Sequence, residues 1–129
     1  MSRSLSLQVL HARFAIVRLP ANAGLPWWAA NSEEFLSFTR TDGETSVVCE
    51  ARRVPDGVRA EVGFRALRVE GTLSFEATGV LAALANPLAT AGVPIFVIST
   101  FDTDYLLVRE TAISKAVDAL REAGHSVTE

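Results

Sequence analysis

The chain has 129 residues, the length of one ordinary domain or of two very small ones that share a core. Hydrophobic residues make up 49% and charged residues 21%, and the net charge of -3 gives no reason to expect nucleic acid or an anionic membrane as a partner. The single cysteine, Cys49, excludes an intramolecular disulfide and a multi-cysteine zinc site, and it suits a reducing cytoplasm.

The N-terminus carries a basic residue, but its apolar residues alternate with polar ones, unlike the core of a signal peptide. Nowhere does the sequence approach the roughly 18 uninterrupted apolar residues of a membrane span. We therefore expect a cytoplasmic protein without a membrane segment.

The first half of the chain is predicted to be rich in strands and poor in helix. Between its second and third strands, the stretch PANAGLPWWAAN holds many helix breakers and allows only a short helical turn over Trp27–Ala30. Asp42-Gly43 predicts a tight turn between the third and fourth strands. The predicted strands are Leu5–Leu10, Arg13–Leu19, Glu34–Arg40 and Glu44–Glu50.

The polar stretch Ala51–Gly63 predicts a surface connection between the halves, with Glu50 and its neighbouring arginines in a solvated loop rather than a phosphate site. Two adjacent tryptophans, Trp27 and Trp28, cannot both face one core, so we expect one to cover a sheet and the other to be exposed. A role in an interface or a ligand contact is the alternative.

The second half is predicted to alternate strands with helices. One helix opens at Gly79, contains Pro87 and ends at Gly92, and another covers about Thr111–Ala123. The apolar stripe of the first helix is Leu81, Leu84, Leu88 and Ala91. The predicted strands are Phe64–Gly71, Thr72–Thr78, Pro94–Ser99, Asp104–Arg109 and a short one at His125–Val127.

From residue 72 onwards this order is strand, helix, strand, strand, helix, strand, which is the ferredoxin-like arrangement. At a spacing of 60 residues, FLSFTRTDGETSVV also lies over IFVISTFDTDYLLV. We therefore predict an α+β protein of two ferredoxin-like (βαββαβ) units in tandem, residues 1–62 with reduced helices and residues 63–129. Chance similarity between strand pairs is the alternative.

Residues with catalytic potential are few. His11 and His125 lie near no carboxylate or thiol in a recurring catalytic pattern, and no nucleotide-binding or metalloprotease motif is present. Cys49 falls inside a predicted strand, which is typical of an inert buried thiol. We expect no enzyme activity, no cofactor and no metal.

Polar residues at the ends of predicted strands suggest a small-molecule site instead. Thr78–Val80 begins a helix, where free backbone N–H groups favour a carboxylate. Asp104 begins a strand and favours an ammonium or guanidinium group, while Phe101 supplies an apolar wall and Thr100 a hydroxyl. Adjacent strands bring the two turns together, and the combination fits a free amino acid.

The alternative is that these residues serve only the fold. Thr78 then caps the helix, and Asp102 makes the hairpin turn. If Asp104 does hold a ligand, we expect the Asp102 side chain to point away from the site.

The stretch LSFEATGVLAALANPLATAGVPIFVIST resembles the ACT domain family, and ISTFDTDYLLV is similar to the CASTOR-type arginine sensors and to small bacterial proteins of tandem ACT-like units. The resemblance implies a non-catalytic, amino-acid-binding regulatory protein with the ligand held between ACT units. The Ala77-Thr78 pair departs from the sensors, which place a carboxylate just before the glycine turn. The ligand-binding residues that the resemblance implies are Gly79, Val80, Thr100, Phe101 and Asp104.

The rival hypothesis is a ligand-free dimerisation or protein-interaction module with the same fold. We also expect a homodimer, because the strand at the N-terminus and the strand at His125–Val127 are short and are predicted to lie at sheet edges. The expected partners are thus a small amino acid, a second copy of the chain and a regulatory protein, with no nucleic acid or membrane.

Overall fold

A computed structural model of the protein describes residues 4–129, which fall into two units. The first unit consists of residues 11–64, and the second consists of residues 4–10 together with residues 65–129. The division near residue 64 lies close to the boundary expected from the sequence, but residues 4–10 belong to the second unit rather than to the first.

The described residues form eight strands and three α-helices. In chain order they are β1 (Ser6–Val9), β2 (Phe14–Leu19), α1 (Trp27–Ala30), β3 (Ser37–Arg40), β4 (Thr45–Glu50), β5 (Ala60–Val69), α2 (Val80–Thr90), β6 (Phe96–Ser99), β7 (Asp104–Arg109), α3 (Ile113–Glu122) and β8 (Ser126–Thr128). Short 3-10 helices, Ala51–Arg53 and Glu110–Ala112, follow β4 and β7. No helix in this part of the chain combines the length and the apolar character that crossing a bilayer requires.

The first unit is an antiparallel sheet with strand order β3-β4-β2-β5. Its helices are reduced to α1 and the 3-10 turn after β4, so the unit keeps the βαββαβ order with single helical turns, as predicted. Trp28 packs against the core of this unit, whereas Trp27 is 78% exposed. The buried core residues are Ala15, Val17, Ala29, Val47 and Cys49.

The second unit has the strand order β6-β7-β5-β1-β8, and β5-α2-β6-β7-α3-β8 gives its βαββαβ order. Strand β1 pairs antiparallel with β5 and parallel with β8. The prediction that β1 lies at a sheet edge is therefore wrong, because its backbone pairs on both sides. The buried core residues are Leu7, Val9, Leu67, Val69, Leu84, Leu88, Val93, Leu106, Val108, Ala116, Val117, Leu120 and Val127.

Helix α2 buries a slightly different stripe from the predicted one. Its buried residues are Val80, Leu84 and Leu88, whereas Leu81 is 43% exposed. Since Val80, Leu84 and Leu88 are spaced by four residues, they form the tighter row on one face of a helix. In α3, Ala116, Val117 and Leu120 are buried as expected, while Ala123 is exposed.

The predicted strand over Thr72–Thr78 is wrong, because this segment forms a turn. The Ser74 hydroxyl accepts a hydrogen bond from the Glu76 N–H (3.2 Å) and donates one to the Glu76 carboxylate (3.0 Å), while the Ala77 N–H donates to the Ser74 carbonyl (3.0 Å). These local bonds compete with strand pairing. The first strand of the second unit's βαββαβ order is instead the end of β5, which begins at Ala60 within the predicted connection.

Candidate functional site

A cavity of about 300 Å³ opens in the second unit beside the β6–β7 hairpin. Its other wall is the segment that leads from β5 to α2. The lining residues are Leu73, Ser74, Phe75, Ala77, Ser99, Thr100, Phe101, Asp102, Thr103 and Asp104.

The hairpin turn is held by its own threonines. The Thr100 N–H and hydroxyl both donate to the Thr103 carbonyl, at 2.8 Å and 3.1 Å, and the Thr103 N–H donates to the Thr100 hydroxyl at 3.3 Å. The buried Thr103 hydroxyl donates to the Val69 carbonyl at 2.8 Å, which fastens the turn to the end of β5. These hydrogen bonds fix the turn in place, and the phenyl ring of Phe101 is exposed to solvent.

Asp104 is the first residue of β7 and lies directly across the hairpin from Ser99. The Ser99 hydroxyl donates to Asp104 Oδ1 at 2.5 Å, which fixes the orientation of the carboxylate. Asp102 is a second acidic residue among those that line the cavity, and none of the described lining residues is basic. The cavity therefore has a negative lining, which favours a cationic group.

The opposite wall reaches the hairpin through a backbone bond and an aromatic contact. The Leu73 N–H donates to the Asp102 carbonyl at 2.7 Å. The rings of Phe75 and Phe101 lie edge to face, 4.8 Å apart between centroids, although they are 71% and 78% exposed. An exposed phenyl pair thus stands beside the negative lining.

The structure brings only part of the predicted site together. Thr100, Phe101 and Asp104 line the cavity, but Gly79 and Val80 are not among the described residues that do so. Gly79 precedes α2 in the left-handed conformation (φ 78°), and the side chain of Val80 is buried in the core. The Gly79–Val80 contact with ligand stays a prediction, as does the placement of the ligand between two ACT units.

Sequence reasoning missed Ser74, Phe75 and Ser99. Asp102 is also among the lining residues, and the expectation that its side chain points away from the ligand stays a prediction. The segment of Ser74 and Phe75 alternates as a strand does, which conceals the turn that it forms. The hydroxyl of Ser99 is recognisable only from its register opposite Asp104.

A second polar cluster lies in the first unit around Glu50, which is buried rather than solvated as predicted. Its carboxylate accepts hydrogen bonds from the Glu33 and Glu34 N–H groups, at 3.0 Å and 2.9 Å. The other oxygen accepts from Arg53 Nε at 3.1 Å and lies 3.4 Å from Arg52. Both oxygens of the buried carboxylate accept hydrogen bonds from the first unit itself, which is typical of a structural role.

Burial by itself would raise the pKa of Glu50, but its hydrogen bonds outweigh burial. The N–H of Glu34, the side chain of Arg53, the N–H of Glu33 and the charge of Arg52 together hold that pKa below its ordinary value. For Cys49, burial first and the charge of Glu50 second raise the pKa to about 11, against a smaller lowering by Arg53. Such a thiol is an unreactive core residue, as predicted.

Strand order and helix placement define this chain as an α+β protein of ferredoxin-like units. The ACT domain family model matches residues 59–122, and a model for a separate N-terminal domain matches residues 12–57. The chain belongs to the ACT domain family.

Known relatives agree with this assignment. The chain is 30% identical over 112 residues to the cytosolic arginine sensor for mTORC1 subunit 1 of Pongo abelii. The matched region covers 81% of this chain and 34% of the sensor. It thus spans about a third of the curated relatives that it matches.

Solved structures show the same fold. Protein Atu0741 from Agrobacterium tumefaciens is 40% identical, with a TM-score of 0.91 over 98% of this chain and 93% of that one. The aspartate kinase of Clostridium acetobutylicum, 14% identical, has a TM-score of 0.65 over 89% of this chain and 34% of that one, a likeness in fold alone.

Proposed function

We propose that the protein is a non-catalytic regulatory protein that binds a free amino acid in the cavity of its second unit. The observation that carries this proposal is the lining itself, in which Asp102 and Asp104 stand beside hydroxyls and phenyl rings without a basic side chain among the described lining residues. Such a lining suits a ligand with an exposed cationic group and an apolar stem.

Within the proposed complex, Asp104 accepts hydrogen bonds from the ligand's ammonium or guanidinium group. Phe75 and Phe101 cover the stem, and their ring faces attract a cation as well. Gly79 and Val80 remain our proposed partners for the ligand's carboxylate, because the first N–H groups of a helix have no acceptor within it.

The relatives support this proposal, since arginine sensors are among the curated proteins that the chain matches. We infer a ligand with a basic side chain on that ground and on the negative lining. The Ala77-Thr78 pair before Gly79 lacks the carboxylate of the sensors, so lysine is as suitable as arginine. The cytosolic relatives also support a place in the cytoplasm for this chain.

A thermal-shift screen of the twenty amino acids tests the proposal, since a ligand that binds only the native state must raise its melting temperature. We expect stabilisation by L-arginine or L-lysine at millimolar concentration and none by L-citrulline, the neutral counterpart of arginine. Silence from all twenty amino acids contradicts the proposal and favours the ligand-free interaction module.

A further inference from the structure

The hairpins of the two units carry the same turn. In the first unit, the Thr41 N–H and hydroxyl donate to the Glu44 carbonyl at 2.8 Å and 3.3 Å, and the Glu44 N–H donates to the Thr41 hydroxyl at 3.2 Å. Thr100 and Thr103 make the same three bonds in the second unit. The two turns are therefore equivalent at a spacing of 59 residues, one fewer than the sequence suggests.

This equivalence identifies the counterparts of the ligand-facing residues. Arg40 pairs with Thr45 across the end of the first hairpin, as Ser99 pairs with Asp104 across the second. Arg40 is thus the counterpart of Ser99, and Thr45 is the counterpart of Asp104.

In the first unit, these two side chains fasten the loop that follows β2. Arg40 Nη2 donates to the Ala23 carbonyl at 2.8 Å, and the Thr45 hydroxyl lies 3.3 Å and 3.5 Å from the Ala21 and Ala23 carbonyls. The hairpin supplies the donors here, and the loop supplies the acceptors.

In the second unit, the side chains at the two corresponding positions, Ser99 and Asp104, do not supply those donors. The one hydroxyl proton of Ser99 goes to Asp104, which is an acceptor. The corresponding loop, residues 71–79, is bounded by Gly71 and Gly79, whose φ values of 83° and 78° lie in the left-handed region that favours glycine. The Leu73 N–H and the Phe75 ring already join this loop to the hairpin, and the cavity of about 300 Å³ between the two segments is where a group that donates to both would stand.

We propose that the loop of residues 71–79 is a lid and that the ligand's cationic group latches it. The cation binds Asp104 and also donates to backbone carbonyls of the loop. In the first unit, Arg40 donates to a loop carbonyl in the same way. A guanidinium has five N–H donors and an ammonium three, enough to bridge two acceptors. This inference rests on the proposed function and adds the way in which occupancy changes the protein.

Replacing Ser99 by arginine tests the latch without any ligand. In Ser99→Arg, the introduced guanidinium stands where Arg40 stands in the first unit, and we expect amide hydrogen exchange over residues 71–79 to slow about tenfold, the scale of one charge-assisted hydrogen bond. Ser99→Met, of similar length without donors, is the matched control. Arg40→Met is expected to speed exchange over residues 20–26 by a similar factor.

With the unmodified chain, L-arginine is the probe and L-citrulline its neutral control. We expect L-arginine to slow exchange over residues 71–79 and L-citrulline to leave it unchanged. Equal exchange in Ser99→Arg and Ser99→Met overturns the latch. An amino acid that stabilises the protein without slowing this loop also overturns the latch but leaves the proposed function standing, whereas no binding by any amino acid overturns the proposed function itself.

Discussion

At the scale of single residues, the hydrogen bond between Ser99 and Asp104 links the fold to the proposed chemistry. It joins the last residue of β6 to the first of β7 and fixes the orientation of the Asp104 carboxylate. Asp104 contributes no apolar packing, so its removal is expected to affect binding rather than folding.

Asp104→Asn is expected to weaken binding of the amino acid found in the screen by about 10- to 100-fold, since a hydrogen bond to a charged group contributes roughly 1.5–3 kcal/mol. Isothermal titration calorimetry measures the loss, and the melting temperature without ligand should stay nearly unchanged. Asp42→Asn, in the turn of the first hairpin, is the control. Equal losses from both substitutions would mean that the site is assigned wrongly.

His125 is a buried residue that supports two elements at once. Its Nε2 lies 2.9 Å from the Ala83 carbonyl, and its Nδ1 accepts from the Leu5 N–H at 3.1 Å, so these partners assign the proton to Nε2 of a neutral ring. Ala83 lies four residues before Pro87, which has no N–H to donate to that carbonyl. The Nε2–H of His125 thus donates to the Ala83 carbonyl in place of the N–H that proline lacks.

We expect His125→Ala to lower the free energy of unfolding by about 2–4 kcal/mol, because it removes a buried side chain and leaves a partly buried donor, the Leu5 N–H, and a partly buried acceptor, the Ala83 carbonyl, without partners. In the Pro87→Ala background the helix can supply its own N–H to Ala83, and the cost should fall by about 1 kcal/mol. Urea unfolding of the four proteins measures this coupling. A coupling of zero would show that the histidine does not compensate for the proline.

The Cys49 thiol should be inert in the native protein. With a pKa of about 11, roughly one thiol in a thousand is ionised at pH 8, and the side chain is buried as well. Iodoacetamide at pH 8 is expected to label the folded protein negligibly and the urea-unfolded protein fully, as followed by mass spectrometry. Rapid labelling of the folded protein would contradict the burial of β4.

At the scale of elements, the Glu50 cluster ties the end of β4 to the segment between α1 and β3. The N–H groups of Glu33 and Glu34 and the two arginines after β4 all converge on this one carboxylate. Because α1 is a single turn, it can contribute little packing of its own. We therefore expect the bonds to Glu50 to stabilise the segment between α1 and β3.

The lowered pKa of Glu50 makes this contribution depend on pH. The stabilisation is fully present above the ordinary pKa of 4.5 and is lost as the pH falls through the lower folded value, since the unfolded chain binds the proton more readily. Glu50→Gln should cost about 3 kcal/mol at pH 7 and progressively less in acid, as measured by urea unfolding across pH. Glu33→Gln, on an exposed side chain, should cost less than about 1 kcal/mol at any pH.

Most elements could be predicted from local pattern, and the exceptions have local reasons. The segment after β5 alternates as a strand does, with Leu73, Phe75 and Ala77 in phase, but the Ser74 hydroxyl folds it into a turn. That error hid Phe75, which is the aromatic partner of Phe101 in the candidate site. The site residues on the hairpin were predictable because a tight turn places its polar residues at a strand end.

At the scale of the whole molecule, the edge strand β8 bears on the proposed homodimer. An unpaired edge invites association, but Arg121 Nη2 donates to the Val127 carbonyl at 2.7 Å and covers part of this edge. We expect light scattering to give twice the mass of the chain, and Arg121→Ala to strengthen the association if β8 forms the interface. An unchanged dimer in Arg121→Ala would place the interface elsewhere, and a monomer throughout the micromolar range would contradict the homodimer.

The sequence by itself determined the α+β class, the tandem of reduced and complete ferredoxin-like units, and the hairpin that carries Thr100, Phe101 and Asp104. These follow from periodicity and turn residues, which act over a few neighbouring positions. Only the tertiary structure decided that β1 lies between β5 and β8, that Ser99 orients Asp104, and that Arg40 occupies the matching place in the first unit. Those facts depend on pairings between residues far apart in the chain, which hydrophobic patterning along a strand does not encode.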